Sequence, residues 1–264
     1  MYSLGLKFNP HFLVISLGNP VKHYETLHSA GHFALQSLHK LLVTWGIDQP
    51  TKDHVDPVTG KDLGFKRAKR FHQKPSMGWV GHKYTLLQCP TEMNVSGLWV
   101  TKVWAQARRE RRTAELEEHA RADPQPRLGP DPHRSGLALI VLHDELEDAF
   151  GSVKKRDWRA SHRGHNGVRS VQERNPYHQP HVKAWRISIG IGRPKSREHQ
   201  DVASYVLSPL TDDQQRTLDT KTGSEIMAFI EGMEKSWKRE HDLARAFKVS
   251  QLSRELQALE LGKG

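Results

Sequence analysis

Four short apolar runs limit what this chain can fold into. They are rich in β-branched and other large apolar residues: FLVISLG (12–18), YTLLQC (84–89), ALIVLHD (138–144) and WRISIGIG (185–192). Runs of this kind are typical of buried strands. The first is followed by SAGHFALQSLHKLLVTW (29–45), whose apolar residues recur at helical spacing, with Ser29 as a candidate N-cap. A buried strand that leads into an amphipathic helix, with further buried strands beyond, predicts an α/β fold.

Weaker patterns add further elements to this prediction. We expect short strands around 79–80 and 153–155, and helices after Asn94, at 212–232 and at 234–247. Another helix should begin near Gly167, at the end of the stretch SHRGHNG (161–167). The glycines of this stretch permit tight turns, and its His and Asn side chains can form hydrogen bonds.

The segment 107–136 differs in character from its surroundings. It is highly charged in its first half and proline-rich in its second, and predicted strands lie on both sides of it. We therefore predict an insertion within a single domain that spans 10–248. The first half should extend a solvated helix, and the second half should form a loop. Residues 249–264 are predicted to be a C-terminal tail or a short helix.

The chain is strongly basic, with a formal net charge of +10 and an isoelectric point near 9.7. Because the basic residues are clustered, as in KKRDWR (154–159), they favour nucleic acid as a partner. A single cysteine, Cys89, excludes an internal disulfide and indicates a reducing compartment. No apolar run approaches the length of a membrane span, and the first ten residues lack a secretory signal pattern, so no membrane partner is expected.

Polar residues follow several of the predicted strands. Ligands bind at the carboxyl ends of strands in open α/β sheets, so these residues are candidates for one shared site. They are Asn19, His28, Asn94, Asp144, His165 and Asn166. A neutral histidine can take a proton from water, a carboxylate can fix its tautomer, and asparagines can polarise a carbonyl. The set therefore predicts hydrolysis by an activated water molecule.

Other chemistries lack their characteristic motifs. No GxSxG is present, so a covalent serine intermediate is not favoured. There is no HExxH and no CxxC, and SIGIGRP lacks the third glycine of a dinucleotide-binding turn. We therefore expect neither a metal ion nor another cofactor.

Seven stretches, and the order in which they follow one another along the chain, carry a resemblance to a known family: FLVISLGNP, HSAGH, EMNVSG, HDELE, GHNGVRS, RISIGIGRP and DVASYVL. Over most of residues 12–207 they resemble the bacterial-type peptidyl-tRNA hydrolase family. The resemblance implies a monomeric three-layer α/β/α domain with a mixed twisted sheet and no metal or cofactor. It also implies cleavage of the ester that joins a peptide to the 3′ end of tRNA. Peptidyl-tRNA is then the expected partner, and the ribosome is a second candidate.

The resemblance also implies a role for individual residues. His28 corresponds to the catalytic base, Asp144 orients it, and Asn19 and Asn94 position water and substrate. Other positions correspond to substrate contacts: Tyr24 and Met93, with His165 and Asn166 in the loop that binds the peptide and the tRNA end. Basic positions that meet tRNA phosphate correspond to Lys154 and Arg156.

The chain departs from the family pattern at three points. Ser29 follows the predicted base where the family usually has Asn. The spacing from Tyr24 to His28 is one residue shorter than usual, and Arg163 replaces a glycine. None of these changes removes the base or its carboxylate, so activity is expected.

Two other functions remain open. Some proteins with this fold act as RNA-binding factors in organelles, on intron RNA or the ribosome, without hydrolysis, although a pure binder does not need a positioned base. An unrelated esterase would not explain the basic loop. In eukaryotes the family often serves mitochondrial translation, so we expect a mitochondrial location, with the cytosol as the alternative.

Overall fold

A computed structural model describes residues 8–68, 76–122, 136–174 and 183–261. Its centre is a mixed sheet with the strand order β2-β3-β4-β1-β5-β7-β6. The strands are β1 (His11–Ser16), β2 (Lys66–Ala68), β3 (Ser76–Val80), β4 (Tyr84–Gln88), β5 (Leu137–Glu145), β6 (Val153–Arg156) and β7 (Lys183–Gly190). The four central strands β4, β1, β5 and β7 are parallel, whereas β2, β3 and β6 run antiparallel to their neighbours. The predicted mixed sheet is confirmed.

Helices cover both faces of this sheet. They are α1 (Ala30–Thr44), α2 (Ser96–Ala122), α3 (Asn166–Glu173), α4 (His199–Val206) and α5 (Asp212–Leu261). In β1, Phe12 and Val14 belong to a core that includes residues of α1 and α5. Leu13 and Ile15 point to the opposite face and belong to a core that includes residues of α2 and α3. Because side chains alternate along a strand, this arrangement gives the predicted three layers.

Strand β5 is buried along its whole length, since all nine of its residues are buried. Its backbone is paired on both sides, with β1 and with β7. A parallel strand covered by helices on both faces is expected to be apolar throughout. The polar residues His143, Asp144 and Glu145 at its carboxyl end break that rule, which marks this end as a functional site.

The C-terminal half differs from the prediction in its helix boundaries. The helices predicted at 212–232 and 234–247 form one helix, α5, which also includes the residues from 249 to Leu261. The intervening Met233 and the later Trp237 are both buried in the core, so packing continues across the expected break. Gly232 lies within α5 and does not interrupt it, and a Cβ at this position would have nothing within 4 Å.

The first half of the 107–136 segment continues α2 to Ala122, as expected for a solvated helix. The second half lies largely in 123–135, outside the described residues. The strands expected near 79–80 and 153–155 form as β3 and β6. In the stretches covered by the structure, none of the helices combines the length and the apolar composition that a bilayer crossing needs.

Candidate active site

The carboxylate of Asp144 is the centre of the site. It lies at the carboxyl end of β5, where its side chain is only 3% exposed. Two histidine nitrogens lie within hydrogen-bond distance of the same carboxylate oxygen, Oδ1: His28 Nδ1 at 2.8 Å and His165 Nε2 at 3.0 Å. The centroids of the two imidazole rings are 5.0 Å apart. The structure therefore brings together three residues that are far apart in the sequence.

Hydrogen bonding assigns the protons of both rings. His165 caps helix α3, and its Nδ1 accepts from the backbone N–H groups of Gly167 (3.1 Å) and Val168 (3.2 Å). Its proton must therefore be on Nε2, which donates to Asp144. His28 Nδ1 also donates to Asp144, so the lone pair of neutral His28 is on Nε2. That nitrogen has the protonation state required of a general base.

The pKa values of the central pair are shifted in a consistent way. Burial alone would lower the pKa of His28, but the charge of Asp144 and its hydrogen bond outweigh this effect, so the pKa lies above its ordinary value. Burial alone would raise the pKa of Asp144, but the charges and hydrogen bonds of His28 and His165 place it far below its usual range. Asp144 is therefore a carboxylate that favours proton uptake by His28.

A third histidine, His143, lies beside the site but is not suited to proton transfer. Its Nδ1 donates to the backbone carbonyl of Asp144 at 2.8 Å, and its ring packs edge-on against His165. Burial, assisted by the neighbouring charges of His165 and Arg186, lowers the pKa of His143 to about 3. It is neutral near pH 7 and supports the end of β5.

Asn19 is held in the loop that leads from β1 to His28. Its backbone N–H donates to Ser29 Oγ at 3.0 Å, and its Nδ2 donates to Thr26 Oγ1 at 3.3 Å. Ser29 occupies the N-cap position of α1, as predicted, but its side chain makes no capping bond and holds Asn19 instead. Ser29, which departs from the family pattern, thus stabilises this loop.

Met93 and Asn94 lie on a short 3-10 turn (Met93–Val95) that leads into α2. Met93 is buried in the core, whereas Asn94 is exposed. A Cβ at Gly167 would lie 2.8 Å from Met93 Sδ and 3.1 Å from His165 Cε1. A Cβ here would press on both side chains, which favours glycine at this position of SHRGHNG.

Tyr24 is occupied by contacts within the protein. Its phenolic oxygen accepts from Gln36 Nε2 at 2.6 Å and from Gln88 Nε2 at 2.8 Å, and its ring stacks on His32. These bonds connect the loop before His28 to α1 and β4. Contact of Tyr24 with substrate stays a prediction, as do the substrate roles of Met93 and Asn94.

The two basic residues predicted to meet phosphate are paired with one buried carboxylate. Lys154 Nζ lies 2.6 Å from Asp148 Oδ1, and Arg156 Nη2 is bonded to the other oxygen, Oδ2. Arg156 Nε also donates to Ser188 Oγ at 3.0 Å. Because two cations share one carboxylate, a net positive charge remains on β6, at the edge of the sheet. Asp148 thus orients these side chains, and their contact with tRNA stays a prediction.

A cleft of about 400 Å³ opens beside the central pair. This volume is in the range of small-molecule sites. Of the predicted residues, it is lined by His28, Asp144, His165 and Asn166, but not by Asn19, Tyr24, Met93 or Asn94. The lining also includes residues to which the sequence analysis gave no role: Glu145, Leu146, Arg193, Arg197, His199, Val202, Ala203 and Val206. All but Arg197 and His199 lie in the quoted stretches HDELE, RISIGIGRP and DVASYVL.

Arg163, which replaces the usual glycine, also lines the cleft. Its φ of 48° is the only positive φ of a non-glycine residue among those the structure describes. This region of backbone space favours glycine, so arginine is held there at some strain. Its guanidinium lies 3.8 Å from the carboxylate of Glu145, at the rim of the site.

His28, Asp144 and His165 form a group whose ligand atoms lie within 4.8 Å of one another, as metal sites require. However, the cap of α3 keeps the proton of His165 on Nε2, the nitrogen that would have to bind the ion. Metal binding there would break the cap or displace that proton. The convergence is explained by hydrogen bonding to Asp144, and independence of metal stays a prediction.

Replacement of His165 by alanine should destabilise the fold by roughly 2–4 kcal/mol. Loss of the cap costs about 1 kcal/mol, and loss of a hydrogen bond to a charged group costs about 1.5–3 kcal/mol. Urea unfolding followed by circular dichroism would measure this difference. His165→Asn provides the matched control, because asparagine is a good N-cap but too short to cap and reach Asp144 together. H165N should therefore be about 1 kcal/mol more stable than H165A. Equal stability of H165A and wild type would contradict the assigned bonds.

The fold and the site together define a class of protein. Layers of helices cover a mixed sheet, and a buried aspartate orients a histidine base at a cleft next to the carboxyl ends of parallel strands. This arrangement is that of an α/β protein equipped for hydrolysis by general-base catalysis.

Comparisons with known proteins make the assignment specific. The family model for peptidyl-tRNA hydrolase matches residues 133–251. The peptidyl-tRNA hydrolase of Saccharomyces cerevisiae is 30% identical over 214 residues, which covers 80% of this chain and 90% of the yeast protein. That of Geobacter metallireducens is 31% identical over 198 residues, covering 74% and 75% of the two chains. This chain belongs to the peptidyl-tRNA hydrolase family.

Two further comparisons differ in how much of this chain they cover. A relative from Schizosaccharomyces pombe is 43% identical over 84 residues, but that match covers only 32% of this chain and 39% of the relative. The crystal structure of a peptidyl-tRNA hydrolase variant from Acinetobacter baumannii matches with a TM-score of 0.52 and 21% identity. This match covers 90% of this chain and 96% of the other, and it supports the same fold.

Proposed function

We propose that this chain hydrolyses the ester bond between a peptide and tRNA. The observation that carries the proposal is the hydrogen bond of 2.8 Å between His28 Nδ1 and the buried Asp144. This bond leaves Nε2 of His28 as a base at the cleft. Membership of the family supplies the substrate, since the relatives are named peptidyl-tRNA hydrolases.

In the proposed reaction, Nε2 of His28 takes a proton from water as the water oxygen attacks the ester carbonyl. Asp144 stabilises the imidazolium that forms, and His165 holds Asp144 in place through its second hydrogen bond. The bond from the carbonyl carbon to the 3′ oxygen of the ribose then breaks. The proton on His28 passes to that oxygen, which leaves the histidine neutral for the next cycle.

The asparagines and the basic residues have supporting roles in this proposal. Asn19 and Asn94 are proposed to orient water and the carbonyl. Neither lines the cleft, so these roles require the substrate to extend beyond it. Lys154 and Arg156 would contact phosphates of the tRNA, which adds affinity without selecting a sequence.

The direct test is release of a labelled N-acetyl-aminoacyl group from tRNA by the purified chain, with and without EDTA. We expect cleavage at the same rate in both cases, since protein side chains supply the base. A folded protein that binds the tRNA but leaves the ester intact would contradict the proposal. That result would favour the non-catalytic RNA-binding function, which does not need a positioned base.

We also propose that the protein acts as a monomer, as the family resemblance implies. Light scattering would test this, and a dimer at working concentration would contradict it. A ribosome contact and a mitochondrial location are proposed from the family resemblance, with the cytosol as the alternative location. Cosedimentation with ribosomes and fractionation of cells would test these two proposals.

A further inference from the structure

Helix α2 extends from the active-site edge of the sheet to the opposite edge. It begins directly after the turn that carries Asn94, and the backbone N–H of Gly97 donates to Ser170 Oγ of α3 at 3.0 Å. Just past its middle, Arg111 Nη2 donates to the carbonyl of Asn9, shortly before β1 begins. The outer surface of α2 is therefore a path that leads away from the cleft.

The outer surface of α2 is basic. Its buried side carries Val100, Val103 and Trp104, whereas four basic side chains are exposed. We call them the α2 basic face: Lys102, Arg108, Arg109 and Arg112. Spacings of three, four and seven residues place them along one side of the helix. From the first to the last they span about 15 Å, at a rise of about 1.5 Å per residue.

Within the described part of the chain, no ion pair neutralises the α2 basic face. Among the side chains that the structure describes, no carboxylate forms an ion pair with any of the four. The nearby Glu110 accepts a hydrogen bond from Gln106 at 3.0 Å. By contrast, some exposed basic residues of α5 are paired: Lys221 with Glu225 and Lys238 with Glu234.

Like charges three and four residues apart destabilise a helix. Arg109 and Arg112 have the first spacing, and Arg108 and Arg112 have the second. A bound polyanion would relieve this repulsion, and arginine suits phosphate because its planar fork can donate two parallel hydrogen bonds. A face of this kind is therefore better explained by an anionic partner than by solvation alone.

We propose that the α2 basic face binds the sugar-phosphate backbone of the tRNA body while the 3′ end occupies the cleft. The proposal rests on the proposed function, which supplies the tRNA. It is also consistent with the packing of α2 on α3, because α3 starts at His165 and Asn166 in the cleft. Contacts to phosphate are independent of sequence, so they suit an enzyme that accepts many tRNAs.

The test compares two triple variants that lose the same charge. The first, R108A/R109A/R112A, removes three arginines of the α2 basic face. The matched control, K221A/K235A/R239A, removes three exposed basic residues of α5, on the other side of the sheet. Alanine favours helix, so both variants should fold. Each is assayed for binding of uncharged tRNA across a salt series and for hydrolysis of two substrates.

The α2 variant should bind tRNA at least about tenfold more weakly at low salt. The slope of log Kd against log salt should fall by about 0.7–0.9 for each phosphate that the variant no longer neutralises. Hydrolysis of N-acetyl-aminoacyl-tRNA should decrease in kcat/KM to a similar extent. Hydrolysis of an N-acetyl-aminoacyl CCA trinucleotide should change less than about twofold, since this substrate is too short to reach the α2 basic face.

Three results would overturn the inference: an unchanged salt slope, an equal loss in the α5 control, or an equal loss on the trinucleotide. Binding to vesicles with phosphatidylserine, abolished in the α2 variant while its tRNA affinity is unchanged, would assign the face to membranes instead. The binding assay does not depend on catalysis. A wild type that cleaves neither substrate would therefore refute the proposed function while the tRNA affinities still decide this inference.

Discussion

Replacement of His28 by alanine should reduce kcat for N-acetyl-aminoacyl-tRNA at least about a hundredfold, the lower end of what a general base contributes. The reason is that Asp144 orients only His28 with a nitrogen left free to accept a proton. His165 has its Nδ1 occupied by the cap of α3. Single-turnover measurements with saturating enzyme would isolate the chemical step from tRNA binding.

Two variants make this result interpretable. In His28→Gln, an amide can still donate to Asp144 but cannot take a proton, so this variant should be as slow as H28A. His23→Ala removes an exposed histidine from the same loop and should keep the wild-type rate. If H28A retains more than about a tenth of the rate, another group is the base, because a loss of that size is below the range of general-base catalysis.

Much of the fold could be predicted because its strongest signals are local. The apolar runs at 12–18, 84–89, 138–144 and 185–192 overlap the four parallel strands, and burial on both faces explains their uniform composition. Strand β2 has three polar or small residues and pairs only with β3 among the described residues, so its sequence carries no such signal. The continuity of α5 depends on Met233 and Trp237 packing on the sheet, which is a tertiary effect.

Several residues of the site and one of its hydrogen bonds could be predicted from the sequence. The family resemblance pairs His28 with Asp144, and the structure places His28 Nδ1 2.8 Å from Asp144 Oδ1. The bond between His165 and Asp144 was not predicted, because it depends on how the first turn of α3 meets the end of β5. Arg197 and His199 lie outside the seven stretches that carry the family resemblance, and only the folded chain brings them to the cleft.

Replacement of Asp144 by asparagine should slow catalysis and also shift its pH dependence. An amide can still accept hydrogen bonds from the two histidines, so the geometry should persist. However, it cannot stabilise the imidazolium that forms in the transition state, and we expect a loss of about 10²–10⁴ in kcat. The pH–rate profile gives a second, independent readout of the same interaction.

The direction of that shift follows from the pKa of His28. The base is active only when neutral, so the rate falls at low pH as His28 becomes protonated. In the wild type, Asp144 raises the pKa of His28 against the effect of burial. The fall in rate at low pH, the acid limb of the pH–rate profile, should therefore have its midpoint above the pKa of about 6.5 of an ordinary histidine. In D144N the charge is lost and the remaining hydrogen bond is to a neutral amide, so the lowering effect of burial on the pKa of His28 should dominate. The acid limb should therefore move to lower pH.

Measurement of kcat/KM from about pH 5 to 9 would test this shift, since a histidine titrates within that range. Glu147→Gln is the matched control, because it removes a carboxylate that pairs with Arg193 and contacts neither histidine. Its acid limb should coincide with that of the wild type. An acid limb that stays in place in D144N would mean that the titrating group is not His28. The hydrogen bond to Asp144 would then be structural, and the base would have to be sought elsewhere in the cleft, where His199 is the remaining histidine.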